Sequence, residues 1–87
     1  MKYVSILDYD PNVLDFEYEP ISINYYFNGH KKIYTPDFMV NYIDGSSEII
    51  EIKPYKLLEL DINKAKFEAI RKIYSNFRVI TEIDLFV

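Results

Sequence analysis

The chain has 87 residues, enough for one small domain. Its 49% hydrophobic and 17% aromatic content can build a core and excludes a disordered chain. There is no cysteine, so disulfide frameworks and thiolate metal sites are excluded, and the chain fits a reducing, cytoplasmic setting. The net charge of −4 argues against tight, stand-alone binding to DNA but leaves room for a carboxylate-rich metal site. No apolar run approaches the roughly 18 residues of a membrane span, and the amino terminus has no secretory pattern.

Lys2 to Leu7 reads either as the last turns of a helix or as a short strand. Asp8-Tyr9-Asp10-Pro11-Asn12 is a turn, because Asp, Asn and Pro each favour one. Val13 to Phe27 follows as a strand interrupted at Pro20, with Ile21, Ile23, Tyr25 and Phe27 alternating with Ser22, Asn24 and Tyr26. Asn28-Gly29 is the strongest hairpin signal, since both residues tolerate positive φ. Lys31 to Ile43 forms the second strand, irregular at Pro36, and Asp44-Gly45 makes the next tight turn. Glu48 to Lys53 forms the third strand, which Pro54 ends.

The period then changes. Between Leu58 and Asn76, Ile62, Ala65, Ala69, Ile70 and Ile73 recur at helical spacing, with Lys64, Glu68, Arg71 and Lys72 on the opposite side. Asp61 near the start suits the helix dipole. Phe77 to Glu82 returns to a strand, and Ile83 to Val87 either packs back on the core or lies at an interface. The expected fold class is mixed α/β (α+β): an antiparallel three-stranded meander followed by a helix and a further strand, in one domain over residues 1–87.

The chemistry concentrates in Tyr34-Thr35-Pro36-Asp37-Phe38 and Glu48-Ile49-Ile50-Glu51-Ile52-Lys53-Pro54. Strand side chains alternate, so Glu51 and Lys53 share one face, while Ile50 and Ile52 are expected to enter the core under the helix. Adjacent strands lie about 4.8 Å apart, so Asp37 and Glu51 can approach closely enough for one hard cation to bridge them. Magnesium prefers oxygen donors and keeps several waters, which makes Asp37, Glu51 and the Ile52 carbonyl a reasonable protein ligand set. Lys53 would orient or help deprotonate an attacking water and balance charge near a phosphate. A cross-strand Asp–Lys pair on a solvated face is the simpler alternative for the same residues.

At these residues the chain resembles the PD-(D/E)XK nuclease superfamily, and more narrowly the amino-terminal domain of TnsA-like endonucleases of transposons and their phage-encoded relatives. The matching text is Leu7-Asp8-Tyr9-Asp10-Pro11-Asn12-Val13, Glu19-Pro20-Ile21-Ser22-Ile23, Tyr34-Thr35-Pro36-Asp37-Phe38, Asp44-Gly45, Glu51-Ile52-Lys53-Pro54 and Ile80-Thr81-Glu82. The resemblance implies a restriction-endonuclease-like core and magnesium-dependent endonuclease activity on DNA, with manganese as a substitute. It implies Asp37, Glu51 and Lys53 as catalytic residues, in the cytoplasm of a bacterial or phage-infected cell. It also implies DNA and a protein partner, or a homodimer, as binding partners.

Two departures qualify it. In that family a helix ahead of the Asp-Pro turn usually carries another catalytic Glu, a position that would fall at or just before Met1. The family often has Gln where Glu19 stands, so Glu19 is either a surface residue or a substitute ligand. A catalytically weak or inactive nuclease-fold module, acting through protein or DNA contacts, is the alternative function. Three further features invite a reading. His30, Lys31 and Lys32 make a basic hairpin tip, either a phosphate contact or a solvated end. Lys53, Lys56, Lys64 and Lys66 make a cationic strip, with Lys66 facing the site from the helix. Tyr25 and Tyr26 suggest a sticky strand face.

Overall fold

Proline and a left-handed residue bend the first hairpin in the middle. In the computed structural model, which describes residues 10–85, each of the two long strands is broken into two. Val13–Tyr18 (β1) and Ile23–Phe27 (β2) make up the first, and His30–Tyr34 (β3) and Phe38–Tyr42 (β4) the second. β2 pairs antiparallel with β3, and β1 pairs antiparallel with β4. The first break falls at Glu19, whose φ of 48° leaves the strand region, and at Pro20, which has no N–H for a ladder. The second break falls at Thr35 and Pro36. The strands stay joined across both, because the Glu19 N–H donates to the Asp37 carbonyl (2.9 Å) and the Ser22 and Thr35 hydroxyls hydrogen-bond at 2.7 Å.

The two hairpin turns form where Asn-Gly and Asp-Gly stand. Asn28 and Gly29 have φ of 51° and 77°, the pair of positive values that a two-residue hairpin matched to strand twist requires. At the second turn, the Asp44 carboxylate accepts from the Ser46 N–H (2.9 Å) and hydroxyl (2.6 Å), an arrangement that holds its carboxyl below the usual range. Asp10 acts similarly on the Asn12 N–H (2.9 Å), which places the described part of the first turn where Asp, Pro and Asn stand together.

Ser47–Ile52 (β5) pairs antiparallel with β4, and Phe77–Ile80 (β6) pairs parallel with β5. The four-stranded sheet therefore runs β1-β4-β5-β6, with the β2-β3 hairpin as a separate two-stranded sheet. The meander keeps its expected order and direction, and the mixed α/β class stands. A parallel neighbour requires a crossover, supplied by a 3-10 turn at Tyr55–Leu57 and the helix Asp61–Ile73 (α1). The helix is shorter than Leu58–Asn76 because the 3-10 turn takes up the approach. Asn63, buried in the first turn of α1, donates to the Leu57 carbonyl (2.8 Å) and ties the two together.

β6 likewise ends at Ile80, before Glu82. Thr81 caps the short helix Glu82–Leu85 (α2): its hydroxyl accepts the Ile83 N–H (3.2 Å), while Asp84 accepts the Thr81 N–H (2.8 Å). Ile83 is exposed. The segment Lys2–Leu7, the start of the first turn and Phe86–Val87 lie outside the described residues.

The sheet has an apolar core on each face. Under α1, Ile49, Phe77 and Tyr34 pack with Phe67 and Ile70 of the helix and with Ile23 and Tyr25 of the hairpin. On the other face, Phe38, Val40, Ile50 and Ile80 pack together, with Phe16 and Ile52 against them. Ile50 and Ile52 thus lie away from the helix, contrary to expectation. The reason is that Glu51 does not face solvent: it shares the helix side with Ile49 and is buried there. Phe67 takes a central place in the helix, whereas Ile73, at its last turn, is 59% exposed.

Candidate metal and phosphate site

Asp37 stands immediately before β4, where the ladder between β4 and β5 runs out at the pair Phe38 and Ile50. Its Oδ2 accepts the Ile52 N–H at 2.7 Å, so the side chain replaces the strand partner that the break at Pro36 removed. In a strand the N–H and C=O of one residue point the same way. The Ile52 carbonyl therefore points toward the Asp37 side, while the Lys53 N–H turns to β6 and donates to the Ile80 carbonyl (3.0 Å).

Glu51 and Lys53 share the helix-side face, as their spacing requires. Glu51 is only 6% exposed. Its Oε1 accepts the Tyr34 hydroxyl at 2.5 Å, and its Oε2 lies 3.9 Å from the Lys53 ammonium. Burial pushes the Glu51 carboxyl above the usual glutamate range, against the stabilising Tyr34 hydrogen bond, and the Asp37 charge pushes it further; Lys53 and Lys66 pull it back. The two carboxylates thus feel each other across the end of the strands. The solvated Asp–Lys alternative fits poorly, since Glu51 is buried and Lys53 pairs with Glu51.

Lys66 reaches the site from α1, with its ammonium 4.9 Å from the centre of the Tyr34 ring. Burial lowers its pKa first, and the Lys53 charge lowers it further, while Glu51 and Asp37 act in the opposite sense. No carboxylate among the described residues forms an ion pair with it. Of the anticipated cationic strip, Lys53 and Lys66 act on Glu51; Lys56 is exposed on the 3-10 turn, and Lys64 pairs with Glu59 at 3.1 Å. The neighbouring Tyr34 was legible as the first residue of Tyr-Thr-Pro-Asp-Phe, but nothing in spacing assigned its hydroxyl to Glu51. Burial and that hydrogen bond raise the Tyr34 phenol far above its ordinary value, so it donates as a neutral group.

Other candidates fall elsewhere. Glu19 is exposed at the bend, and His30 is exposed at the hairpin tip. Tyr25 is buried, so only Tyr26 of that pair presents an exposed ring. Among the described residues no group of three or more Asp, Glu, His or Cys converges as a metal cage. No helix among them is long and apolar enough to cross a membrane.

Residues 10–82 match the family model for the TnsA-like endonuclease N-terminal domain. The chain belongs to the TnsA-like endonuclease N-terminal family. That match spans both carboxylates, both lysines and the strand and helix that present them. No curated protein matches the chain. The family makes this a nuclease-related module; the roles of its individual residues follow from their chemistry.

Proposed function

We propose that this TnsA-like module is a metal-dependent DNA endonuclease, or a nuclease subunit, that hydrolyses phosphodiester bonds with magnesium held by Asp37, Glu51 and the Ile52 carbonyl. The observation that carries the reading is a buried carboxylate, Glu51, that feels the charge of a second one, Asp37, with Lys53 and Lys66 beside it. Such a pair needs a proton or a cation. The donor set, two carboxylates and a carbonyl on the Asp37 side with Asp37 Oδ1 free of the Ile52 bond, fits a hard divalent ion that retains water. A bound divalent cation would lower the pKa of its water and stabilise charge on the phosphate.

The remaining chemistry belongs to the chain. Lys53 lies beside Glu51 and would orient the attacking water, and its ammonium would balance negative charge near the phosphate. Lys66, with no carboxylate partner among the described residues, would neutralise a phosphate oxygen from the helix side. Asp37 would hold the metal while fixing the Ile52 peptide, so the same side chain sets the position of the third ligand. DNA is the expected substrate, and the acidic net charge favours delivery by a protein partner or a second copy over strong binding by the chain alone.

The test is conversion of supercoiled plasmid to nicked circles in magnesium or manganese. Wild-type protein nicks; Asp37→Asn, Glu51→Gln and Lys53→Ala each lose about 100-fold or more of the rate. Lys53→Ala cutting at the wild-type rate would remove Lys53 from the mechanism. The second reading, an inactive docking module, draws on the presence of only two acidic ligands in the described cluster. It predicts no nicking while metal binding and partner binding persist.

A further inference from the structure

Resting on that reading of Asp37 and Glu51, we infer that Tyr34 is a positioning residue: its hydroxyl fixes Glu51 Oε1 and so leaves Oε2 as the oxygen presented to the cation. Three contacts hold the ring in place. Phe67 and Phe77 meet it edge-on, with ring centres 6.1 and 6.3 Å away, and the Lys66 ammonium sits over it at 4.9 Å. The ring is 5% exposed. A phenol so enclosed cannot swing away, and its O–H is a fixed donor aimed at one carboxylate oxygen, 2.5 Å distant.

A glutamate side chain has three rotatable bonds and presents either oxygen unless something distinguishes them. Here the distinction is built from outside the ligand set. Oε1 is engaged by a neutral donor, and Oε2 lies on the Lys53 side. Partners of this kind, one bond removed from the metal, set ligand orientation, and losing one typically costs about 10–100-fold in metal affinity. Tyr34 comes from β3, the hairpin sheet, and Glu51 from the main sheet, so the bond also ties the bend of the first hairpin to the site.

The experiment is calorimetric titration of the whole chain with manganese chloride, comparing wild type, Tyr34→Phe, Glu51→Gln, the double variant and Tyr26→Phe as an exposed control. Tyr34→Phe should weaken manganese binding about 10–100-fold, while Tyr26→Phe matches wild type. In the Glu51→Gln background the same change should cost less than about twofold, because two residues acting through one another are not additive. Equal losses in both backgrounds, or wild-type affinity in Tyr34→Phe, overturn the inference and leave the metal reading intact. Wild-type protein that binds no manganese fails the metal reading itself and takes the inference with it. Should Tyr34→Phe not fold, proton NMR of the wild type decides: a protected Tyr34 hydroxyl proton that shifts on magnesium saturation supports the role, and one that is absent or unmoved overturns it.

Discussion

One strand, β5, carries two glutamates that look alike in the sequence and differ in circumstance. Glu48 and Glu51 lie on opposite faces, and each accepts a tyrosine hydroxyl at 2.5 Å, from Tyr42 and Tyr34 respectively. Glu48 also meets the Arg78 guanidinium through both oxygens, at 3.1 and 3.2 Å, and its side chain stays partly open to water. Glu51 has one lysine at 3.9 Å and feels a second from the helix, is buried, and feels the charge of a second carboxylate. A tyrosine bond is therefore not what marks a site. What marks it is a buried carboxylate that feels a second one, a local rule broken where function is expected.

The largest effect tests whether the site and the fold can be separated. Ile50 lies between the two glutamates, on the Glu48 face, with no exposed surface. Ile50→Ala should cost about 2–5 kcal/mol in urea denaturation through lost burial and a cavity. Its manganese affinity, measured where the protein is still folded, should equal that of the wild type. A lost affinity would mean that the opposite face sets the ligand geometry. Next in size is the metal response. At manganese about 100-fold above Kd, linkage adds about 2.7 kcal/mol, a rise in melting temperature of order 10 °C for a domain of this size. Glu51→Gln should remove most of that rise and Glu48→Gln should keep it, in scanning fluorimetry.

The third effect is a pH dependence of the metal-free protein. The folded Glu51 carboxyl sits above its ordinary value of 4.5. The native state then binds its proton more tightly than the unfolded chain, so ionisation disfavours folding. The contribution of this group is fully present below pH 4.5 and is lost as pH rises through the folded value. Glu51→Gln should flatten that fall in a series of denaturation curves.

Much of this was legible in the chain. Asn28-Gly29 and Asp44-Gly45 dictate their turns because positive φ is required there. The change from period 2 to helical spacing after Pro54 marks the crossover. Asp37, Glu51 and Lys53 could be placed together because strand alternation and adjacency are local rules. The bend at Glu19 and Pro36 was harder to read, since a proline shows where a ladder weakens but not which sheet each half will join. The buried side of β5 was harder still. Alternation separates Ile50 from Glu51 without saying which face the helix covers, and that choice depends on the packing of Phe67 and Ile70 from far along the chain. The Tyr34 bond to Glu51 joins residues 17 apart through a fold that no short pattern encodes.

The smallest expected effect bears on the Arg78 pair. Arg78 and Glu48 are both partly exposed. Water and salt screen such a pair, and side-chain ordering offsets part of its attraction, so it is worth about 0–1 kcal/mol. Arg78→Ala should therefore lower stability by less than about 1 kcal/mol, with the difference shrinking in high salt. The same variant asks whether missing neutralisation alone separates the two glutamates. If it did, stripping Arg78 would turn Glu48 into a second manganese site, visible as an added binding step in calorimetry. The expected trace is unchanged, because the Glu51 end of the strand also draws on Asp37 and on the Ile52 peptide that Asp37 holds. A second step would instead make charge imbalance sufficient, and the placement of Asp37 incidental.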